Sequence, residues 1–143
     1  MALESVKGYI RSRLLVLGFA EWCDGFNNEN IPGTLLDNSW HLEFGRGQNA
    51  VQNQQPLQVR WPFILRIYKA NTRDPRTLID DMIVSMDAII VDLLTASNRL
   101  AYAGGALKNL SLDSFRIEPL AESNDNGVIG IMEFSALIIM AID

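Results

Sequence analysis

Hydrophobic positions recur along this chain in two alternating rhythms. Leu3, Val6, Ile10, Leu14 and Leu17 fall at helical spacing and stop at Gly18, a residue suited to a left-handed cap. They predict an amphipathic first helix whose polar face, with Glu4, Lys7, Arg11 and Arg13, is solvated. From Glu21 to Ser39 the pattern dissolves into Asp24-Gly25, Asn27-Asn28 and Pro32-Gly33, which reads as a loop crossing to a sheet. Trp40, Leu42 and Phe44 then alternate with His41 and Glu43, the period of a strand with one face in the core. Gly45 to Pro56 holds almost nothing that fills a core and predicts a long hairpin tip.

The second strand places Val59, Trp61, Phe63, Leu65 and Ile67 on one face, with Arg60, Pro62, Ile64, Arg66 and Tyr68 on the other. Proline cannot donate to a ladder, so Pro62 predicts an edge strand or a bulge. Asp74-Pro75 predicts an N-cap followed by the first residue of the main helix. Ile79, Met82, Ile83, Met86, Ile89, Ile90, Leu93 and Leu94 form that helix's broad apolar stripe, and Asp80, Asp81, Asp87 and Asp92 fall outside it. Tyr102 to Asp113 reads as a loop leading to a third strand near Ser114 to Leu120. Asn124 to Gly127 then turns into a last strand running from Val128 to about Ile142. The end of that strand, Leu137 to Ile142, is apolar on both faces, so its second face requires cover. The order of elements predicts one α+β domain spanning 1–143: an antiparallel sheet of about four main strands, two helices packed on one face, and a long hairpin between strands 1 and 2.

Composition narrows the choice of function. Twelve Lys and Arg against seventeen Asp and Glu leave a net charge of −5 and a pI near 4.8, which argues against tight nucleic-acid binding. An acidic wall instead lets a polyanion slide past. Hydrophobic residues at 48% and charged ones at 20% fit a folded domain of this length, which needs neither disulfides nor a structural metal. One cysteine, Cys23, and one histidine, His41, cannot form a disulfide framework or a clustered zinc site. No apolar run reaches the roughly 18 residues of a membrane span, and no signal core is evident at the start, so synthesis in a reducing cytoplasm is the simplest reading.

No reactive constellation stands out. His41 reads as an ordinary sheet residue, with a polar interface role as the alternative, and Cys23 as a small buried hydrophobe. Asp80 and Asp81 are adjacent and so diverge by about 100° on a helix, which disfavours an acid–base pair or a metal site. Gly45-Arg46-Gly47 lacks the Gly-Lys-Ser/Thr of a phosphate loop. The expectation is therefore no catalytic residue, no cofactor and no metal.

The run Asn30-Ile31-Pro32-Gly33-Thr34-Leu35-Leu36-Asp37-Asn38-Ser39-Trp40-His41-Leu42-Glu43-Phe44 follows an N-terminal helix and enters the first strand. Together with the order of elements over nearly the whole chain, it resembles the lambda-like tail-terminator proteins (tail completion or minor tail proteins) of long-tailed bacteriophages. The resemblance implies a virion protein, assembled in the host cytoplasm, that closes into a hexameric ring at the head-proximal end of the tail tube. Such a ring ends tube polymerisation and offers its other side to the head-completion or connector protein, while DNA passes through the channel without specific binding. In that setting Arg46, Gln48, Asn49, Gln52, Asn53, Gln54 and Gln55 are candidates for docking to the tube. Leu137, Ile139, Met140 and Ile142, with Arg60 and Arg66, are candidates for the subunit interface, and Asp80, Asp81, Asp87 and Asp92 for an acidic channel wall. The alternatives are another neck or tail-tube subunit, or a small ligand-binding module with Trp61, Tyr68 or His41 at the mouth of a pocket between helix and sheet.

Overall fold

The computed structural model describes residues 2–21, 38–51, 57–70, 75–103, 106–119 and 127–140. Helix α1 (Ala2–Val16) buries Val6, Tyr9, Ile10 and Leu14. It ends as predicted: Gly18 has a φ of 92°, its N–H donates to the Leu15 carbonyl (3.1 Å), and Phe19 N–H donates to the Leu14 carbonyl (2.9 Å). Phe19 itself folds back into the core, completing a Schellman cap with its hydrophobic contact. The cap turns the chain into β1 (Ala20–Glu21), which runs parallel to β2 (Ser39–Phe44). Asn38 is the joint between them. At a φ of 59° it donates its N–H to the Tyr68 carbonyl (2.9 Å), receives Ala20 N–H (3.0 Å), and accepts Lys69 Nζ on its side chain (2.7 Å).

The other strands are β3 (Gln48–Val51), β4 (Leu57–Ala70), β5 (Leu107–Pro119) and β6 (Gly127–Met140). They form a six-stranded sheet in the order β1-β2-β4-β6-β5, with β3 also paired to β4. The fold is α+β as expected, but the sheet is mixed rather than purely antiparallel, because β1 joins it in parallel. Its centre is the antiparallel pair β4–β6, in register from Leu57 opposite Met140 to Ala70 opposite Gly127.

Three helices are present among the described residues, one more than expected. Helix α2 (Pro75–Leu94) starts at the predicted proline. Helix α3 (Ala96–Ala103) occupies a stretch that the hydrophobic pattern leaves blank, because its inward side chains are Asn98 and Arg99 rather than aliphatics. The break between the two helices is held by Asn98 Nδ2, which donates to the Asp92 carbonyl (3.1 Å), and by Thr95 Oγ1, which donates to the Val91 carbonyl (2.7 Å).

One sheet face carries the core. Trp40 on β2, Phe63, Leu65 and Ile67 on β4, the even-numbered positions of β6, and Leu107 and Leu110 on β5 join Val6, Ile10, Leu14, Met82, Met86, Ile89 and Leu93 from the helices in one buried cluster. Gly130 lets α2 approach: a Cβ there would lie 2.7 Å from Met82 Sδ and 2.8 Å from Met86 Sδ. β5 begins seven residues before the expected Ser114. Two register shifts, at Lys108 and at Asp113, break its alternation and hide it from a period-two reading.

Candidate functional site

Three surfaces gather the residues singled out from sequence. The first is the outer arm of the β2–β4 hairpin. Pro62 lies in an interior strand, not at an edge, and the sheet accommodates it by interrupting its neighbour between β2 and β3. Gly45 N–H donates to the Pro62 carbonyl (2.8 Å), so the missing proline N–H faces the same side, where it would have met the Gly45 carbonyl. The Trp61 indole takes over that role, donating Nε1–H to the Gly45 carbonyl at 2.9 Å while stacking on Phe44 with ring centroids 4.2 Å apart. Arg46 and Gln48 are exposed on this arm.

The long free tip expected from Gly45 to Pro56 is therefore shorter at its start. Gln48 and Asn49 belong to β3 and pair with Arg60 and Val59, because backbone pairing to an open strand edge needs no core-filling side chain. Gln52, Asn53, Gln54 and Gln55 lie outside the described residues, as do Ile142, Cys23, Asp74 and positions 30–37 of the family-like run.

The second surface is the sheet face turned away from the helix core. Register brings Glu43, Ile64 and Glu133 into one row across the strands, His41, Arg66, Ile131 and Arg116 into the next, and Gln48, Arg60, Leu137 and Asn109 into a third. Leu137, Arg60 and Arg66 thus share this face, with Ile139 beside Gln58. Met140 does not. Two-residue alternation turns it to the helix side, where it packs on the core, so it leaves the predicted subunit-interface group. Tyr68 and Ile131 are buried on this second face. Arg66 is paired with Glu43 (3.3 Å), whereas Arg60 is exposed and, among the described residues, has no acidic partner within 4 Å. Burial, followed by the Arg66 cation, pushes the His41 imidazole below its ordinary pKa.

The third surface is the helix layer, and here the four aspartates separate. Asp92 does not face outward. Arg13 Nε donates to Asp92 Oδ2 and Arg13 Nη2 to Asp92 Oδ1, both at 2.7 Å, with the two side chains only 26% and 15% exposed. The predicted solvated position of Arg13 and channel position of Asp92 are both corrected by this fork, which ties α1 to the end of α2. Tyr9 adds a bond from its hydroxyl to the Leu93 carbonyl (2.8 Å), and burial, with the Asp92 charge second, raises its pKa. Asp80 and Asp87 are exposed and Asp81 is half-buried.

The predicted apolar stripe of α2 is wider than the sheet it covers. Leu78, Met82, Met86, Ile89 and Leu93 are buried, but Ile79 and Ile83 are 41% and 52% exposed. Ile83 faces Phe115, itself 63% exposed on the edge strand β5, across an open groove of about 610 Å³ that Leu112 and Ile117 also line. Sequence reasoning assigned Ile83 to the core and Phe115 to an undistinguished strand. The signal available was the stripe's width: Ile79 and Ile83 lie on its margin and stay exposed while Met82, Met86, Ile89 and Leu93 along its middle are buried. At the opposite end of the sheet order, Leu15 and Val16 are about 70% exposed just before β1.

No known family model and no curated protein matches this chain. The reading of function consequently rests on geometry. Trp61, Tyr68 and His41 do not converge: Trp61 lies on the helix side of the sheet and the other two on the opposite face. The α2–β5 groove is apolar except for Asp87 at its rim; Arg116 also borders it, but register turns its side chain to the opposite sheet face, where Glu118 holds it at 2.8 Å. Among the described residues, no group of three His, Cys, Asp or Glu side chains is placed to hold a metal ion, and no helix is long and apolar enough to cross a membrane.

Proposed function

We propose that this chain is a structural subunit that self-associates into a ring, in the manner of a phage tail terminator, capping the tail tube and presenting its other side to the head. One observation carries the reading: the two edges of a single sheet expose different contact surfaces. The β5 edge offers the apolar groove between Ile83 and Phe115, and the β1–β2–β3 edge offers Leu15, Val16 and the kinked arm with Arg46. Unlike patches on opposite edges join head to tail, and head-to-tail contacts generate rings when the rotation closes and open tubes when it does not. The edge strand β5 is blunted by its shifts at Lys108 and Asp113, which disfavours simple strand addition and leaves the contact to side chains. Six subunits, the tube and head partners, and passage of DNA come from the family resemblance, and the second sheet face with Arg60, Arg66, Leu137 and Ile139 supplies a further contact.

The test is electron microscopy of the purified chain, alone and added to polymerising tail-tube protein. Closed rings on tube ends and shorter tubes are expected. Open-ended tubes of the chain itself would make it a tube subunit, and a monomer that leaves tube length unchanged would overturn the proposal.

A further inference from the structure

Exposed arginines stand on the arm and exposed aspartates on the helix that flanks the groove. On the arm, Arg46 is exposed at the Gly45–Gly47 break and Arg60 is exposed on the strand beside β3. Among the described residues neither has an acidic partner within 4 Å, although Arg60 shares a cleft with Asp113, and the nearby Arg66 and Glu43 neutralise each other at 3.3 Å. On the other edge, Asp80 and Asp87 lie seven residues apart on the exposed side of α2 and, among the described residues, have no basic partner within 4 Å; the exposed Arg76 stands one turn before Asp80, and Arg116 lies on the opposite sheet face, paired with Glu118. Seven residues are two helical turns, so the two carboxylates stand on one side of the helix about 10 Å apart. Asp87 lines the groove in which Ile83 faces Phe115, and Asp80 lies two turns before it on the same side of the helix. An apolar groove bordered by exposed acid suits an occupant that brings positive charge, and this chain carries Arg46 at its far edge with Arg60 on the next strand in.

We infer that the α2–β5 groove is the seat of a second copy of this chain, whose arm brings Arg46 and Arg60 to Asp80 and Asp87. The inference rests on the ring reading and specifies its contact. Because donor and acceptor patches are different, each subunit uses both and the contact repeats around the ring. It also removes Asp80 and Asp87 from the channel wall that the net charge suggests for them. Their neighbours on the helix support that placement: Val84 and Val91 are 69% and 61% exposed, an apolar spacing suited to protein contact more than to a water-filled bore. The Trp61 bond to the Gly45 carbonyl ties down the residue before Arg46.

Charge exchange tests it by sedimentation of wild-type and variant chains, with thermal melts to verify folding. D80K/D87K and R46E/R60E should each weaken self-association by about tenfold or more. A mixture of the two variants, or one chain carrying all four changes, should restore it. Wild-type association should also fall as salt rises. If a reversed chain misfolds, the single changes R46E and D87K, both at exposed positions, carry the same test. Reversed chains that assemble like wild type, or a mixture that stays dissociated while both variants remain folded, would overturn the inference and leave the ring standing. I83D separates the remaining case: assembly unchanged by it means that the groove serves a different partner. A wild-type chain that stays monomeric at every concentration and beside tube protein would overturn the ring reading itself.

Discussion

Replacing Asp92 by alanine should cost this domain about 2–3 kcal/mol. The carboxylate receives two charge-assisted bonds of 2.7 Å from Arg13 and one of 3.3 Å from Asn98, in a site where it is 15% exposed. Bonds to charged groups contribute roughly 1.5–3 kcal/mol, and breaking a fully buried pair costs roughly 3–5 kcal/mol; partial exposure of Arg13 places this pair below the upper range. In a domain of this length 1 kcal/mol corresponds to about 3 °C in melting temperature, so a drop of roughly 6–10 °C is expected. Asp80→Ala, on an exposed stretch of the same helix, should stay within about 0.5 kcal/mol. Chemical denaturation of wild type, Asp92→Ala, Arg13→Ala and the double variant gives the coupling between the two residues. Equal effects at Asp80 and Asp92, or a coupling below about 0.5 kcal/mol, would show that the fork does not join α1 to α2 and that Asp92 is an ordinary surface residue.

Trp61→Phe keeps an aromatic ring against Phe44 but removes the donor to the Gly45 carbonyl; a loss of about 1 kcal/mol is expected, with faster amide exchange at Gly45, which hydrogen–deuterium exchange will read. Gly130→Ala drives a methyl against Met82 and Met86 and should destabilise by about 1–3 kcal/mol in thermal melts, with Met86→Ala in the same chain recovering part of it. For His41 the folded pKa lies below the ordinary 6.5, so the unfolded chain binds the proton more readily: its contribution is complete above about pH 6.5 and is lost as pH falls from there through the folded value. Melting curves from pH 7.5 down to 5.5 should therefore fall more steeply for wild type than for His41→Gln.

Much of the architecture is legible in the chain because its central elements are long and regular. Val59 to Ile67 on β4 keep strict alternation, and Pro75 and Gly18 mark the helix boundaries where they are found. What escapes does so for identifiable reasons. Helix α3 buries Arg99 and half-buries Asn98, so no apolar period reveals it. The first half of β5 spaces Leu107, Leu110 and Leu112 by three and then two residues across a shifted register, which matches neither a helix nor a strand. The two residues of β1 are too few for any pattern. At the candidate contacts, the exposed acids Asp80 and Asp87 are correctly read as outward from their offset to the stripe. Asp92, five residues beyond Asp87, stands about 140° round the helix on the stripe's other flank and meets Arg13, a partner 79 positions away that local spacing cannot reveal. Met140 could have been separated from Leu137 and Ile139 by parity alone, once the strand is taken to be straight to its end.

The position of β6 governs how this molecule is made. It lies between β4 and β5 and pairs along its whole length with β4, although Gly127 follows Ala70 by 57 residues. During synthesis β4 waits with one long flank unsatisfied until every intervening residue and then β6 itself have left the ribosome. Loop closure of that span delays nucleation, and the waiting strand is open to mispairing between nascent chains. Expression at low temperature, or with a chaperone that shields extended segments, should consequently raise the soluble yield more than any surface substitution, and a truncation within β6 should abolish folding outright.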